Sequence, residues 1–312
     1  MLRGKRVVVT GGAGFIGSHL VERLAAANDV IVLDNFSTGR PENLAAVKDR
    51  VQVVRGSILD PGAMKQAFHG ADAVFHLAAL TSVPESIERP LEYAETNVTG
   101  TLAVLGGARD AGVRRLVFAS SCAVYGRAKG ALREDAPPDP LSPYAVTKLA
   151  SEHFLRILSE DGLETVVLRL FNVYGPRQSP DSPYSSVVAR FVRAVSSGEP
   201  LILHGDGLQT RDFVYVGDVA EALDRAASTR GVAGGLFNIG SGRETSILAL
   251  IAALRPLAGG RLKIVREPAR TGDVRKSRAD TRRATRVLGF RARTPLKTGL
   301  RRVLEASRLT SS

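Results

Sequence analysis

A single cysteine, Cys122, stands among 312 residues, and there is no tryptophan. One cysteine excludes an intrachain disulfide and any metal site built on several thiolates. The five histidines are scattered without metal-ligand spacing, so no metal is expected. Long apolar runs are lacking as well. After Met1-Leu2-Arg3-Gly4-Lys5-Arg6, the stretch Val7-Val8-Val9 stops at Thr10-Gly11-Gly12. That is far too short for a secretory leader or a membrane span, so a cytoplasmic protein with no membrane association is expected. Acidic residues are the scarcer sign, 31 against 43 Lys and Arg. The whole excess lies in residues 261–308, which hold 16 basic and 4 acidic residues, while the remainder holds 27 of each. This stretch lacks the aromatic interleaving of a nucleic-acid surface. An anionic small substrate, or a generally arginine-rich composition, accounts for the charge without nucleic acid.

What is present is a rhythm. Short β-branched runs at Arg6–Thr10, Val30–Asp34, Val51–Arg55, Ala73–His76, Arg115–Ser120 and Thr165–Leu170 alternate with helical patterns at Ile16–Ala27, Gly62–Phe68, Glu92–Ala111 and Pro143–Glu160. Strands apolar on both faces need helices on both sides. The expected fold is therefore α/β, a Rossmann-type doubly wound parallel sheet with a smaller C-terminal substrate-binding lobe. Beyond Asn172 the pattern loosens through Gly175, Pro176, Pro180 and Pro183, and later strands (Leu201–His204, Phe237–Ile239, Leu262–Arg266) are widely spaced. Residues 1–172 read as the dinucleotide domain and 173–312 as the substrate lobe, with some later segments returning to the first.

The first strand runs into Gly11-Gly12-Ala13-Gly14-Phe15-Ile16-Gly17 and then a helix. Glycines there permit a tight turn and close approach of backbone amides to a pyrophosphate at a helix N-terminus. The second strand ends in Asp34, a carboxylate that would accept both adenosine ribose hydroxyls and repel the extra phosphate of NADP. NAD is the expected cofactor.

Tyr144 and Lys148, four apart on a helical segment, share one face. An ammonium beside a phenol favours the phenolate, drawing a pKa near ~10 toward the working range. The strand end Ala119-Ser120-Ser121 is placed to bridge the tyrosine and a reacting oxygen. Taken alone, a Tyr-x-x-x-Lys pair is also ordinary surface chemistry.

Taken together and in order, Thr10 to Gly17, Asp34-Asn35 with Ser37-Thr38-Gly39, Phe75 to Ala79, Asn97, Ser120-Ser121 and Tyr144-x-x-x-Lys148 form a recognisable set. The chain resembles the extended short-chain dehydrogenase/reductases, and among them the UDP-glucose 4-epimerase-like group. The likeness continues through Leu168 to Arg177, Gly205-Asp206-Gly207, Thr210 to Phe213, Phe237 to Gly240 and Arg270 to Asp273. It implies Tyr144 as base, Lys148 as its tuner and Ser121 as hydroxyl bridge. It implies that NAD is held by Gly11, Gly14, Phe15, Ile16, Gly17, Asp34, Asn35, Ser37, Thr38, Gly39, Ser57, Ile58, Leu77, Ala78, Ala79, Asn97, Tyr144 and Lys148. It implies a nucleotide-sugar site at Ser82, Ser121, Tyr144, Phe171, Asn172, Val188, Arg211, Arg270 and Asp273. A homodimer is implied too, through the helices at Glu92–Ala111 and Pro143–Glu160.

The resemblance leaves several reactions open. Dehydratase relatives carry an acidic pair after the catalytic serine or threonine position and decarboxylating relatives a nearby glutamate, whereas this chain reads Cys122-Ala123-Val124-Tyr125. That favours C4 epimerisation of a UDP-hexose. A UDP-uronic acid epimerase, a nucleotide-sugar dehydratase or reductase, and a non-catalytic NAD-binding regulator remain as alternatives. Gly56-Ser57-Ile58 replaces the aspartate that commonly holds the adenine. Ser277 at the sugar gate, and Ser82-Val83-Pro84-Glu85-Ser86, resemble the branch that accepts N-acetylated sugars. Cys122 reads as a small buried filler.

Overall fold

The computed structural model describes residues 1–128, 130–159, 162–179, 185–260, 262–269 and 274–309. Seven strands form the central sheet: β1 (Arg6–Thr10), β2 (Asp29–Asp34), β3 (Val51–Arg55), β4 (Ala73–His76), β5 (Arg115–Ser121), β6 (Glu164–Leu170) and β7 (Gly235–Ile239). Their order is β7-β6-β5-β4-β1-β2-β3, and every neighbouring pair is parallel. Val7, Val8 and Val9 are all fully buried, because successive side chains point to opposite faces and both faces are covered.

Helices α1 (Phe15–Leu24), α2 (Pro61–Phe68), α3 (Gly100–Asp110) and α4 (Pro143–Ile157) follow the early strands. One apolar core sets Leu20 and Leu24 of α1 and Val7 and Val9 of β1 against Ala222 and Ala226 of a later helix. The other sets Met64, Ala67 and Phe68 of α2 and Val104 of α3 against Val8, Val74 and Leu116.

The expected helix over Glu92–Ala111 is interrupted. Pro90–Ala94 is helical, Glu95–Thr99 is a single wide π turn, and α3 follows. The Thr101 and Ser151 hydroxyls both donate to the Asn97 carbonyl, at 2.6 and 3.0 Å. A carbonyl so engaged is drawn away from the regular ladder, and such turns gather at functional sites.

Beyond Asn172 lie α5 (Val187–Ser197), α6 (Val216–Ser228), α7 (Ile247–Leu254), α8 (Arg282–Leu288) and α9 (Leu296–Leu309). Phe191, Phe213, Tyr215, Ile251 and Leu300 centre a third apolar cluster, the core of the second lobe. Small parallel pairs join Asn172–Tyr174 to Phe213–Tyr215 and Leu201–His204 to Ile264–Glu267. Helix α6 and strand β7 instead pack into the large body, α6 on α1 and β7 on β6.

Candidate active site

The strand order reverses between β1 and β4, and the crevice at their carboxyl ends is where such sheets take a ligand. Gly11, at φ +68°, turns the chain out of β1. A Cβ on Gly11 would sit 2.7 Å from the Ala78 amide nitrogen, and one on Gly17 would sit 2.1 Å from the Gly11 carbonyl oxygen. Only glycine fits either place. Gly14 caps α1, no side chain closes that end, and the first turn carries no acid. An uncapped helix start over a cradle of glycines fits the diphosphate of a dinucleotide.

Asp34 is buried at the tip of β2. Its Oδ2 accepts the Ala13 amide at 2.9 Å and its Oδ1 the Phe36 amide at 2.8 Å. Each oxygen keeps a lone pair for a ribose hydroxyl. Asn35 Oδ1 accepts the Ser37 amide at 3.1 Å, Ser37 and Thr38 are exposed, and Gly39 packs against the Asp34 carboxylate. Ser57 Oγ accepts the Leu59 amide at 3.1 Å, and Ile58 is buried beneath α3. The Leu77 and Ala78 amides donate to Thr10 Oγ1, which lines up the Leu77-Ala78-Ala79 turn opposite the glycines. Asn97 is used locally: its Oδ1 accepts Leu80 N, and its Nδ2 donates to Leu80 O and to Thr147 Oγ1. It ties the β4 loop to the helix that carries Tyr144.

That helix, α4, begins at a Ser142 cap with Pro143 in the first turn, an arrangement suited to a sharp start. Its inner face is polar: Tyr144, Thr147, Lys148, Ser151 and Glu152 are all buried. Ser121, at the end of β5, accepts the Ala123 amide at 3.1 Å and its hydroxyl reaches the Tyr144 phenol. The Lys148 ammonium donates to the Ala119 carbonyl at 2.9 Å and lies 4.7 Å from the centre of the Phe118 ring. Burial pushes the Tyr144 phenol up to about 12 and draws the Lys148 ammonium down to about 8. His76 is held between Thr10 and Thr101 and is kept neutral by burial and by Lys148, its pKa lowered to about 3. Cys122 begins the short turn after Ser121, and burial lifts its thiol to about 12.

Asn172, Val188 and Arg211 line one cavity of about 230 Å³ with Phe191, His204 and Gln209. Arg211 is anchored by the Thr210 and Val274 carbonyls, at 2.8 and 2.5 Å. Phe171 packs behind, against Tyr125, with ring centres 6.2 Å apart. Ser82 caps the short helix Val83–Glu88, accepting the Glu85 amide. Ser277 is buried. Arg270 and Asp273 lie outside the described residues. His76, Thr101 and Glu152 were not singled out from sequence as site residues. The spacing of Glu152, one turn past Lys148, is the signal that could have marked it.

The second lobe grips the back of the glycine turn. Phe15 and Ile16 pack into its core, His19 Nε2 meets the Pro176 carbonyl at 3.1 Å, and Arg177 pairs with Glu22.

The family model "NAD dependent epimerase/dehydratase family" matches residues 7–240. A UDP-glucose 4-epimerase of Mycolicibacterium smegmatis is 40% identical over 307 residues, covering 96% of this chain and 97% of its own. A UDP-N-acetyl-alpha-D-glucosaminuronate decarboxylase of Bacillus cytotoxicus is 38% identical, covering 85% of this chain and 84% of its own. The structure of UDP-N-acetylglucosamine 4-epimerase from Methanobrevibacter ruminantium, in complex with UDP-N-acetylmuramic acid, superposes with a TM-score of 0.95 at 34% identity over 99% of this chain and 100% of that one. That of Thermus thermophilus UDP-glucose 4-epimerase in complex with NAD gives 0.88 at 38% identity over 97% and 99%. A doubly wound sheet with a glycine-built dinucleotide crevice, matched along nearly its whole length by such relatives, belongs to the NAD-dependent epimerase/dehydratase family.

Proposed function

We propose that the protein interconverts UDP-hexoses at C4 of the sugar, with UDP-glucose/UDP-galactose as the first pair and the N-acetylhexosamine pair as an extension that the small Ser277 favours. The carrying observation is that the Ser121 hydroxyl reaches the Tyr144 phenol, with Lys148 buried one turn further along the same helix and, among the described residues, no carboxylate acting on the phenol. NAD is the cofactor; when bound, it accepts a hydride from the sugar carbon and returns it. Tyr144 takes the proton of the C4 hydroxyl, and Ser121 holds that oxygen in line. The 4-keto sugar turns over and is reduced on its other face, when Tyr144 gives the proton back. Asn172 and Arg211 hold the nucleotide diphosphate, a guanidinium being suited to it in shape and charge. Arg270 and Asp273 are assigned to the same nucleotide.

Net elimination or decarboxylation would need a further acid or base. The residues after Ser121 form the turn Cys122–Tyr125 without one. Asp212, the carboxylate whose charge reaches Cys122, is tied up by the Ser241, Gly242 and Ala279 amides and the Ser241 hydroxyl. The same reading places the protein in the cytoplasm as a homodimer. In support of the dimer, Val146, Phe154 and Ile157 stand exposed on the outer side of α4, and Gly106 of α3 opens onto free space.

The test is to incubate the protein separately with UDP-glucose, UDP-N-acetylglucosamine and UDP-glucuronate and catalytic NAD, following each by proton NMR. A new anomeric signal from the C4 epimer is expected with UDP-glucose. Turnover of UDP-glucuronate alone would move the assignment to the uronic acids, and carbon dioxide release would move it to the decarboxylases. No turnover of any of the three would refute it.

A further inference from the structure

Behind Tyr144 and Lys148 lies a buried ion pair that the proposed chemistry does not use. Glu152 on α4 and Arg169 on β6 are 7% and 4% exposed. Arg169 Nε donates to Glu152 Oε1 at 2.9 Å, its Nη2 donates to Oε2 at 2.6 Å, and the Ser120 hydroxyl donates to Oε1. The guanidinium also lies 4.6 Å from the centre of the Tyr125 ring, whose hydroxyl donates to Asn238. Buried pairs of this kind are commonly replaceable by apolar residues without loss of stability, so stability alone does not explain one here.

Its placement does. Glu152 stands one turn past Lys148 on the same face of α4. Its partner Ser120 is flanked on β5 by Ala119, whose carbonyl takes the Lys148 ammonium, and by Ser121, which meets Tyr144. One carboxylate thus fastens the helix carrying two of the site residues to the strand carrying the third. We propose that Glu152 is a positioning residue for the reaction, locking α4 against the end of β5 and holding Lys148 in its charged form. Its kinetic readout rests on the epimerase reading; its electrostatic readout does not.

The groups that face Lys148 are few. Glu152 comes from α4, the Phe118 ring and Ala119 carbonyl from β5, and neutral His76 from β4. Arg169 stands behind Glu152 on β6. Burial draws the ammonium down to about 8, and Glu152 is the charge that opposes this. Removing that charge lowers the midpoint, and an Arg169 left without its partner pushes the same way.

The experiment titrates Lys148 in the NAD-loaded full chain by carbon-13 NMR of its ε carbon, assigned by its disappearance in Lys148→Met. Glu152→Gln is expected to lower the midpoint by on the order of one pH unit, and the alkaline loss of kcat should move down with it. Ser120→Ala, which keeps every charge, is expected to lower kcat several-fold and leave the midpoint in place. Should Glu152→Gln not fold, the double variant Glu152→Gln/Arg169→Gln leaves a neutral pair, and its midpoint should still lie below that of the wild type. An unmoved midpoint in the variant that folds overturns the proposal, whatever happens to stability. A wild-type protein that turns over no UDP-sugar defeats the epimerase reading instead, and the midpoint still decides this one.

Discussion

Burial alone makes Tyr144 a poor base near neutrality, because desolvation penalises the phenolate and holds the phenol at about 12. In the proposed reaction positive charge has to compensate, and Lys148 is the residue we assign to supply it. Tyr144→Phe keeps the ring and its packing but removes the acid–base oxygen. It should cost about 10²–10⁴ in kcat with an unchanged melting temperature, read by the NMR assay and a thermal scan. Lys148 gives a second prediction whose sign runs in two directions. Its folded pKa, about 8, lies below its ordinary 10.5. Activity should fall as pH rises through about 8, as the supporting charge is lost. Between about 8 and 10.5 the unfolded chain binds more protons at this site, so the stability contribution of Lys148 rises over that window. Comparing pH profiles of kcat and melting temperature for wild type and Lys148→Met would show both, and a Lys148→Met profile with the wild-type alkaline limb would refute the assignment.

Among the elements, the glycine turn is the most constrained. Gly17→Ala places a methyl 2.1 Å from a backbone oxygen that cannot yield without moving the turn. The variant should purify with at least tenfold less bound NAD and melt several degrees lower, read by cofactor release on denaturation and by calorimetry. Strands β1 to β6 were legible in the sequence within a residue, since the doubly covered ones are apolar over most of their length and even the exposed edge strand β3 keeps three valines in five residues. The glycine turn, Asp34 and the Tyr144 helix were legible for the related reason that each is a local pattern. The π turn at Glu95–Thr99 was not, because residues 92–111 keep a helical spacing throughout and the break depends on Ser151 from another helix. Likewise the pair Glu152 and Arg169 joins a helix to a strand, with no local pattern linking the two partners.

For the molecule as a whole, the outer surface of α4 supports the dimer proposal, with Ile157 56% exposed and Phe154 beside it. Charging that surface with Phe154→Glu/Ile157→Glu should convert a dimer into a monomer in light scattering. A wild-type monomer at micromolar concentration would refute the dimer. Part of the C-terminal arginine excess is committed to aromatic faces, Arg283 over Phe237 and Arg302 over Tyr215, each at 5.3 Å. Surface ion pairs such as Arg275–Asp206 add little to stability.

The late arrival of β7 has a consequence for how the chain is made. Strand β6 is complete at Leu170, yet its neighbour begins only at Gly235, and a parallel partner cannot fold back through a hairpin. A growing polypeptide leaving the ribosome therefore trails β6 with one row of peptide groups unmatched, and Val166 and Leu168 lack the cover that Phe237, Ile239 and Ala222 later supply. For that interval the nascent chain presents the kind of sticky border that invites pairing with a neighbour.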